Sequence, residues 1–351
     1  MKYWNKTLKN MAEYVPGEQP ENIDEYIKLN TNENPFPPSE KVLKAIMENV
    51  NPNLRRYPDS NARELRSIFA EQNNISPDSV FAGNGSDEVF TLIFRGLIEK
   101  EGVAAFPYPS YSLYDTLAQS NGIKSEKINL DDELQFDLDR FLAKKYDMVI
   151  ISNPNNPTGT YVSTWKIREF LKSYRGLLII DEAYIDFYGG SSIELIQDFD
   201  NVIITRSFSK SYSLAGLRIG LAVSNPDIIR GLFKLKDSYN VDTLAQTAAA
   251  AALLDTRTFN YNLGMMKNNK EYLEERLTEI GFKIIPSRGN FIFTKHPGIE
   301  SGRLYEKLKE NRILIRHFRG PVQSEYVRIS IGSMMEIKKL CSVIESILGE
   351  E

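Results

Sequence analysis

The sequence predicts an α/β fold with a mainly parallel sheet, followed by a smaller α+β unit. From residue 78 onward, short apolar runs alternate with stretches of helical periodicity. Strands separated by helices need crossover connections, which are typical of parallel sheets covered on both faces. After residue 240 the pattern changes to long helical segments, the first of them Ala-rich, which are followed by further short strands. That order of elements favours a second, α+β unit.

The N-terminal part is rich in proline turns such as Pro16-Gly17, so we expect an extended arm there. Ser39 is a candidate N-cap for a helix that runs to Met47. The strands expected in the large sheet are Val80–Ala82, Val103–Phe106, Lys124–Ile128, Met148–Ser152, Leu177–Asp181, Val202–Thr205 and Gly220–Val223. The helices expected between them are Asp87–Ile98, Ser112–Ser120, Asp137–Lys144 and Thr164–Lys172.

The C-terminal third is expected to contain a helix over Thr243–Leu254 and another that ends near Leu277. The strands expected after them are Phe282–Ile285, Phe291–Thr294, Ile313–Arg316 and Val327–Ile331. We therefore divide the chain into an arm (1–36), a large domain (37–260) and a small α+β domain (261–351). The cleft between the two domains is the default place for a ligand.

Composition excludes several classes of protein. The 43 Lys and Arg against 47 Asp and Glu give a net charge of −4, which offers no basic field for nucleic acid. No apolar run reaches the ~18 residues of a membrane span, and Met1–Asn10 has no signal-peptide core. The single cysteine, Cys341, rules out disulfides and lies in an apolar-periodic stretch, where a buried thiol is expected. We expect a soluble, reduced, cytoplasmic protein.

Two histidines, His296 and His317, are too few for a histidine metal cluster, and a Ser-His-Asp triad is nearly excluded. No metal site is expected. His296 lies beside Pro297-Gly298 and is interpreted as a solvated loop residue.

Two glycine- and asparagine-rich turns follow predicted strands. Gly83–Glu88 follows one strand and opens a helix, and free N–H groups at such a helix start can hold a phosphate. Ser152–Gly159 follows Met148–Ser152, and ligands of open α/β sheets bind beyond such strand ends. When the second motif is taken alone, an ordinary Asn-Pro turn is the favoured explanation.

Two further motifs carry ionisable side chains. Asp181–Tyr184 ends an apolar strand, where a carboxylate needs a partner: a helix cap, a surface ion pair or a cationic ligand. Lys210 follows Ser207-Phe208-Ser209, and Arg218 comes eight residues later. A neighbouring cation and partial desolvation both depress the pKa of an amine, which is what a Schiff-base lysine needs.

In this order, the four motifs resemble those of the fold-type I aminotransferases, which use pyridoxal 5'-phosphate, and the resemblance covers essentially the whole chain. It implies a seven-stranded sheet. It also implies that Lys210 forms the Schiff base with the cofactor and moves the proton at the substrate's Cα. Asp181 would pair with the ring nitrogen and keep it protonated. Asn156 and Tyr184 would bind the ring's 3-oxygen, and Tyr111 would stack on the ring.

The same resemblance places the cofactor phosphate at the helix start and beside the lysine. The groups implied are the backbone around Ser86, Asp87 and Glu88, together with Ser207, Ser209 and the guanidinium of Arg218. Tyr57 would reach this phosphate from the partner subunit, which requires a homodimer.

Within the superfamily, the chain most resembles the histidinol-phosphate aminotransferase family. The segments outside the cofactor motifs that carry this resemblance are Tyr14–Gly17, Leu29–Pro35, Tyr239–Val241 and Ile313–Arg316. By resemblance, Arg328 would bind the substrate's α-carboxylate, and Tyr14, Tyr239 and Arg316 would help it hold a substrate phosphate. Asn32 belongs to the same substrate-binding set. His317 stands where the family more often has an acidic residue, and Ser238 where it usually has proline.

The leading hypothesis is transfer of the amino group of L-glutamate to imidazole acetol phosphate, which gives L-histidinol phosphate and 2-oxoglutarate by a ping-pong reaction. A pyridoxal-phosphate decarboxylase of a phosphorylated amino acid is one alternative. An aminotransferase for aromatic or branched-chain amino acids is another. A ligand-sensing domain of a transcription regulator ranks last, because no helix-turn-helix segment precedes the fold in this sequence.

Overall fold

The structure is a computed structural model that describes residues 3–11 and 17–349. Tyr14 therefore lies outside the described residues. The strands are β1 (Ile27–Lys28), β2 (Val80–Asn84), β3 (Val103–Tyr108), β4 (Lys124–Asn129), β5 (Met148–Ser152), β6 (Leu177–Asp181), β7 (Val202–Ser207), β8 (Ile219–Ser224), β9 (Lys283–Ile285), β10 (Phe291–Lys295), β11 (Ile313–Leu314), β12 (Arg316–His317) and β13 (Val327–Ser330).

The α-helices lie before, between and after these strands. They are α1 (Lys6–Asn10), α2 (Glu40–Asn49), α3 (Arg63–Gln72), α4 (Gly85–Gly96), α5 (Leu113–Asn121), α6 (Thr164–Ser173), α7 (Pro226–Leu235), α8 (Thr243–Leu254), α9 (Thr256–Glu279), α10 (Ser301–Glu310) and α11 (Met334–Gly349). The Ser39 side chain caps α2 by accepting from the Val42 N–H, as predicted.

The predicted large sheet is confirmed as seven-stranded, in the order β2-β8-β7-β6-β5-β3-β4. The β3–β7 neighbours are parallel, and β8 runs antiparallel to both β2 and β7. Alternate side chains of the central strands enter two different cores, one on each face. Val149 and Leu178 lie in one core, and Ile150 and Ile179 lie in the other. This burial on both faces explains the continuous apolar runs.

A further core fills the C-terminal part. The four-stranded sheet β12-β13-β10-β9 packs with α9, α10 and α11. Strand β1 of the arm pairs in parallel with β11, and Leu29 is buried in this same core. The arm is therefore held against the C-terminal unit. Cys341 is buried here on α11, which confirms the interpretation of the thiol.

Three local predictions were wrong. Asp137–Lys144 is a 3₁₀ segment at Leu138–Leu142 rather than an α-helix, because only Phe141 is buried there to anchor it. The single strand expected at Ile313–Arg316 is divided between two sheets. Strand β11 pairs with β1, whereas β12 pairs with β13, and the buried Ile315 connects them.

His296 is not a solvated loop residue. Its Nε2 atom lies 3.0 Å from the carbonyl oxygen of Ile280, and its Nδ1 atom accepts from the Gly298 N–H at 3.1 Å. The ring also packs against Phe282, so hydrogen bonds and a ring contact hold it in place. Among the described residues, no helix is both long and apolar enough to cross a membrane.

Candidate active site

A cavity of about 410 Å³ opens at the carboxyl ends of the central strands. Ser152, Asp181 and Ser207, the last residues of β5, β6 and β7, all line it. Thr31 of the arm and Arg328 of β13 line it as well, so the arm and the C-terminal unit complete its wall. The position beyond the strand ends is the one expected for a ligand site in an open α/β sheet.

Most of the predicted site residues come together around this cavity. Those that line it are Ser86, Asp87, Tyr111, Asn156, Asp181, Tyr184, Ser207, Ser209, Lys210, Arg218, Arg316 and Arg328. Glu88, Asn32, Tyr57 and Tyr239 are not among the lining residues. Residues far apart in the sequence thus form one site.

Asp181 is a buried carboxylate with neutral hydrogen-bond donors. Its Oδ2 atom accepts from the Tyr114 hydroxyl at 2.6 Å, and its Oδ1 atom accepts from the Thr205 hydroxyl at 3.1 Å and the Ala183 N–H at 3.2 Å. Burial raises the pKa of Asp181 above its ordinary value, while the bonds from Tyr114 and Thr205 oppose the rise. A buried carboxylate of this kind is suited to a cationic ligand group.

Lys210 is the buried amine of the cavity. Its Nζ atom donates to the Thr31 carbonyl at 2.9 Å and lies 6.0 Å from the ring centroid of Tyr184. Burial, together with the charges of Arg328 and Arg218, lowers the pKa of Lys210 to about 8, although Glu33 opposes the shift. An amine with this pKa is partly neutral, and therefore nucleophilic, at neutral pH.

The start of α4 and Arg218 form a cradle for an anion. The Arg218 guanidinium donates to Ser209 Oγ at 3.3 Å and to Asp87 Oδ2 at 3.0 Å. Gly85 has φ +77°, a conformation that favours glycine, and a Cβ there would lie 2.7 Å from Arg218 Nη2 and would displace the guanidinium. The helix N–H groups, the hydroxyl and the guanidinium make a site that suits a phosphate.

Two arginines face each other across the antiparallel β12–β13 pair. Arg316 is directly opposite Arg328 in the register, and each guanidinium carbon lies 5.4 Å from the ring centroid of Phe318. Arg328 also donates to Asn156 Oδ1 at 2.5 Å and to the Asn30 carbonyl at 2.8 Å. Like charges directly opposite each other on a sheet are destabilising, and an anion bound between them removes that cost. The two guanidinium groups thus give the end of the cavity nearest the C-terminal unit a positive charge that could hold an anion.

Asn32 takes a different place from the one predicted. It is buried, its Nδ2 donates to the Tyr184 hydroxyl at 3.0 Å, and its Oδ1 accepts from Ser330 Oγ at 3.0 Å. It is therefore bonded to the Tyr184 hydroxyl and does not line the cavity. The Glu88 carboxylate accepts from the Asn84 N–H at 2.5 Å and from Asn240 Nδ2 at 2.9 Å, so a contribution of Glu88 to the cradle would come from its backbone, as the resemblance implies.

Tyr57 and Tyr239 form a stacked pair on the surface. Their ring centroids are 4.2 Å apart with an interplanar angle of 8°. Tyr57 is 79% exposed, and Tyr239 is 45% exposed. The two rings therefore belong to one surface feature outside this chain's own cavity.

The sequence interpretation missed Tyr114 and Thr31. Tyr114 lies on α5 among apolar residues and showed no motif, although it is fully buried against Asp181. Thr31 belongs to a segment that had been singled out, Leu29–Pro35, but its contribution is a backbone carbonyl. A contact made by the main chain does not depend on residue type, so no sequence signal could have identified Thr31.

The cavity fits the cofactor implied by the motifs. The cradle at Arg218 suits its phosphate, the buried Asp181 suits a protonated ring nitrogen, and Lys210 is an amine suited to covalent attachment. Independently, residues 24–344 match the family model described as aminotransferase class I and II. The chain belongs to this family.

Several proteins resemble this aminotransferase along their whole length. The histidinol-phosphate aminotransferase of Geotalea daltonii is 42% identical over 95% of this chain and 96% of its own. The solved histidinol-phosphate aminotransferase of Clostridium acetobutylicum is 27% identical, with a TM-score of 0.87 over 93% of this chain and 100% of its own. That of Sinorhizobium meliloti, in complex with pyridoxal 5'-phosphate, has a TM-score of 0.91 at 23% identity, over 100% and 98%. These structures confirm the predicted fold.

Proposed function

We propose that this aminotransferase moves the amino group of L-glutamate to imidazole acetol phosphate and forms L-histidinol phosphate and 2-oxoglutarate, with pyridoxal 5'-phosphate as its cofactor. The observation that carries the proposal is the pair Arg316 and Arg328, which face each other across β12–β13 and both line the cavity. One guanidinium satisfies a carboxylate, whereas a dianionic phosphate farther from the reacting carbon calls for a second. The name of the Geotalea daltonii relative supports the same substrate.

Several residues of the chain would each have a separate role in the reaction. The bound cofactor supplies an electron sink for the bonds at the substrate's Cα. Lys210 would hold the cofactor covalently and, once released, carry a proton to and from Cα on its Nζ atom. Asp181 would hold a proton on the ring nitrogen. Asn156 and Tyr184 would bind the ring's 3-oxygen, and Tyr111 would pack on the ring face.

The anionic groups would be held at two places. Ser86, Ser207, Ser209 and Arg218, together with the first N–H groups of α4, would bind the cofactor phosphate. At the other end, Arg328 would bind the α-carboxylate of glutamate, and Arg316 would add the charge that a substrate phosphate requires. Both half-reactions would then use one cavity in turn.

A homodimer with shared sites is part of this proposal. Tyr57 is exposed and stacked on Tyr239 rather than directed into its own cavity. Leu43, Met47 and Val50 lie earlier in the same stretch of chain and are also exposed. Exposed apolar side chains at this helical spacing are typical of an interface. Tyr57, with Tyr239 stacked on it, would reach the cofactor phosphate and the substrate in the partner subunit.

The test is a panel of acceptors offered with glutamate to the cofactor-loaded enzyme. We expect 2-oxoglutarate to form with imidazole acetol phosphate. For the same acceptor without its phosphate, kcat/KM should fall by about 100-fold or more, because one or two charge-assisted hydrogen bonds are lost. Aromatic or branched-chain oxo acids that outperform the phosphorylated acceptor would contradict the proposal. Release of CO₂ from a phosphorylated amino acid, without formation of 2-oxoglutarate, would also contradict it.

A further inference from the structure

A buried group of charges lies beside the cavity but does not line it. Arg206 forms ion pairs with Asp186 and, at 3.8 Å, with Glu182. Ser211 Oγ donates to Asp186 Oδ2 at 2.5 Å. Ser191 Oγ donates to Glu182 Oε2, also at 2.5 Å. The Glu182 side chain is 0% exposed, and Arg206 is 11% exposed, so this is an interior network.

Folding stability alone does not explain why these charges are buried. One cation faces two carboxylates, and a buried ion pair recovers little more than the cost of removing its charges from water. Burial raises the pKa of Glu182, while the charge of Arg206 opposes the rise. An apolar cluster of similar volume would serve packing at least as well. The network is better explained by the positions of its residues in the sequence, next to residues of the cavity.

Three residues of the network adjoin a residue of the cavity, whereas Asp186 does not. Glu182 follows Asp181, Arg206 precedes Ser207, and Ser211 follows Lys210. Consecutive residues of an extended chain project to opposite sides, so Glu182 and Arg206 hold the reverse side of the backbone that carries Asp181 and Ser207. The Glu182 N–H continues the ladder by donating to the Thr205 carbonyl at 2.9 Å.

The loop that carries Lys210 is held from two sides. Asn34 of the arm donates from Nδ2 to the carbonyls of Lys210 and Ser211 at 3.0 Å and 3.1 Å. On the other side, the Ser211 hydroxyl binds Asp186, which Arg206 ties back to β7. The second tie connects the lysine loop to β7 and, through Glu182, to the end of β6.

We propose that Arg206, Asp186, Glu182 and Ser211 form a positioning network that holds Lys210 and Asp181 at their working separation by anchoring the backbone next to each. This proposal rests on the proposed function for the roles of Lys210 and Asp181. It does not depend on the identity of the acceptor. Ser211 and Arg206 are thus positioning residues and not catalytic ones.

Ser211→Ala is the decisive variant, because it removes the tie without changing any charge. The first readout uses cofactor-free protein: the rate of Lys210 carbamylation by cyanate against pH, followed by peptide mapping. A loosened loop exposes Lys210 to water, so we expect its midpoint to move up from about 8 toward 10.5, by ~0.5 unit or more. The second readout is turnover of the loaded enzyme, where kcat should fall about tenfold while KM for glutamate stays within about twofold.

Ser125→Ala is the matched control, because Ser125 Oγ also donates to an aspartate, Asp115 Oδ1, at 2.9 Å, but away from the cavity. Arg206→Lys should act in the same direction as Ser211→Ala, whereas Arg168→Lys, at an arginine that likewise bridges two acids, Glu194 and Asp198, should not. If Ser211→Ala lowers only the melting temperature and leaves the Lys210 midpoint and kcat unchanged, the network is merely structural and the proposal is wrong. A failed acceptor assignment would leave the cyanate result intact, so the two failures are distinguishable.

Discussion

The Tyr114 hydroxyl donates a hydrogen bond of 2.6 Å to Asp181 Oδ2, and both side chains are buried. The bond stabilises the ionised form of a carboxylate whose pKa burial would otherwise raise further. Only an ionised Asp181 can keep a proton on the nitrogen of a bound pyridine ring. Tyr114 thus controls a charge that the proposed chemistry needs, although it does not line the cavity itself.

We expect Tyr114→Phe to raise the pKa of Asp181 further and to move the acid limb of kcat to higher pH. Loss of one bond to a buried carboxylate costs about 1.5–3 kcal/mol. The stability loss should be absent at low pH, where Asp181 is protonated in both states. It should reach its full size above the raised folded-state pKa, because only the ionised carboxylate needs the donor. The measurements are kcat and thermal unfolding against pH.

Tyr174→Phe is the control for this prediction. Tyr174 is also buried, but its hydroxyl donates to backbone carbonyls of Tyr146 and Leu177, at 3.2 Å and 3.4 Å, and not to a carboxylate. It should therefore destabilise the protein without moving the acid limb. An unchanged acid limb in Tyr114→Phe would show that the hydroxyl does not support the charge of Asp181.

The second prediction concerns how Lys210 captures the cofactor. Because its pKa is lowered to about 8, the neutral amine should rise from roughly a tenth of the protein at pH 7 to nearly all of it at pH 9. The rate at which cofactor-free protein binds pyridoxal phosphate covalently should rise about tenfold over that range and then level off. Stopped-flow absorbance measures the rate, and borohydride reduction with peptide mapping should place the label on Lys210.

An ordinary lysine would behave differently. With an unshifted pKa of 10.5, the rate would rise about a hundredfold between pH 7 and pH 9 and would continue to rise above pH 9. That profile, or a label on a lysine other than Lys210, would contradict the assignment of Lys210.

The sequence predicted best those features whose signals are local. Strands β5 and β6 were predicted at their observed bounds, because each is an unbroken apolar run that ends at a polar residue of the site. The cofactor motifs were found for the same reason, since each lies in a single loop at a strand end. The cavity could be anticipated because parallel strands bring their carboxyl ends to one edge.

Features that depend on packing could not be predicted in this way. Tyr114 resembles any apolar-face residue of a helix until the sheet order brings α5 against Asp181. The division of residues 313–317 between two sheets depends on pairing with β1, almost 300 residues earlier in the chain. In the sequence, Arg206 and Glu182 resemble ordinary charged residues at strand ends, because burial cannot be inferred from residue type alone.

The third prediction tests the shared active site. Lys210→Ala and Tyr57→Ala proteins, each first shown to be inactive, should regain activity after their subunits are exchanged. If Tyr57 acts in the partner, each hybrid dimer has one complete site, so a random mixture should reach about a quarter of normal activity. Activity and subunit exchange are measured on the same mixture, the latter by native mass spectrometry. No recovery despite proven exchange would mean that each site is built from a single chain.

The last prediction concerns substrate choice, which we assign to Arg316. Arg328 is anchored by Asn156 and the Asn30 carbonyl, so it can hold a carboxylate whether or not Arg316 is present. Arg316→Ala should therefore cost the phosphorylated substrate about 1.5–3 kcal/mol more than it costs glutamate, the size of a charge-assisted bond. Single-turnover kcat/KM for each half-reaction measures the difference directly.

Lys295→Ala is the control for a lost cation outside the cavity, since Lys295 pairs with Glu325 at 2.6 Å on the same sheet. It should leave the ratio of the two half-reactions unchanged. Arg316→Ala, in contrast, should discriminate less between the two substrates. Equal losses in both half-reactions would show that Arg316 does not select the phosphate and would remove the main physical support for histidinol phosphate as the substrate.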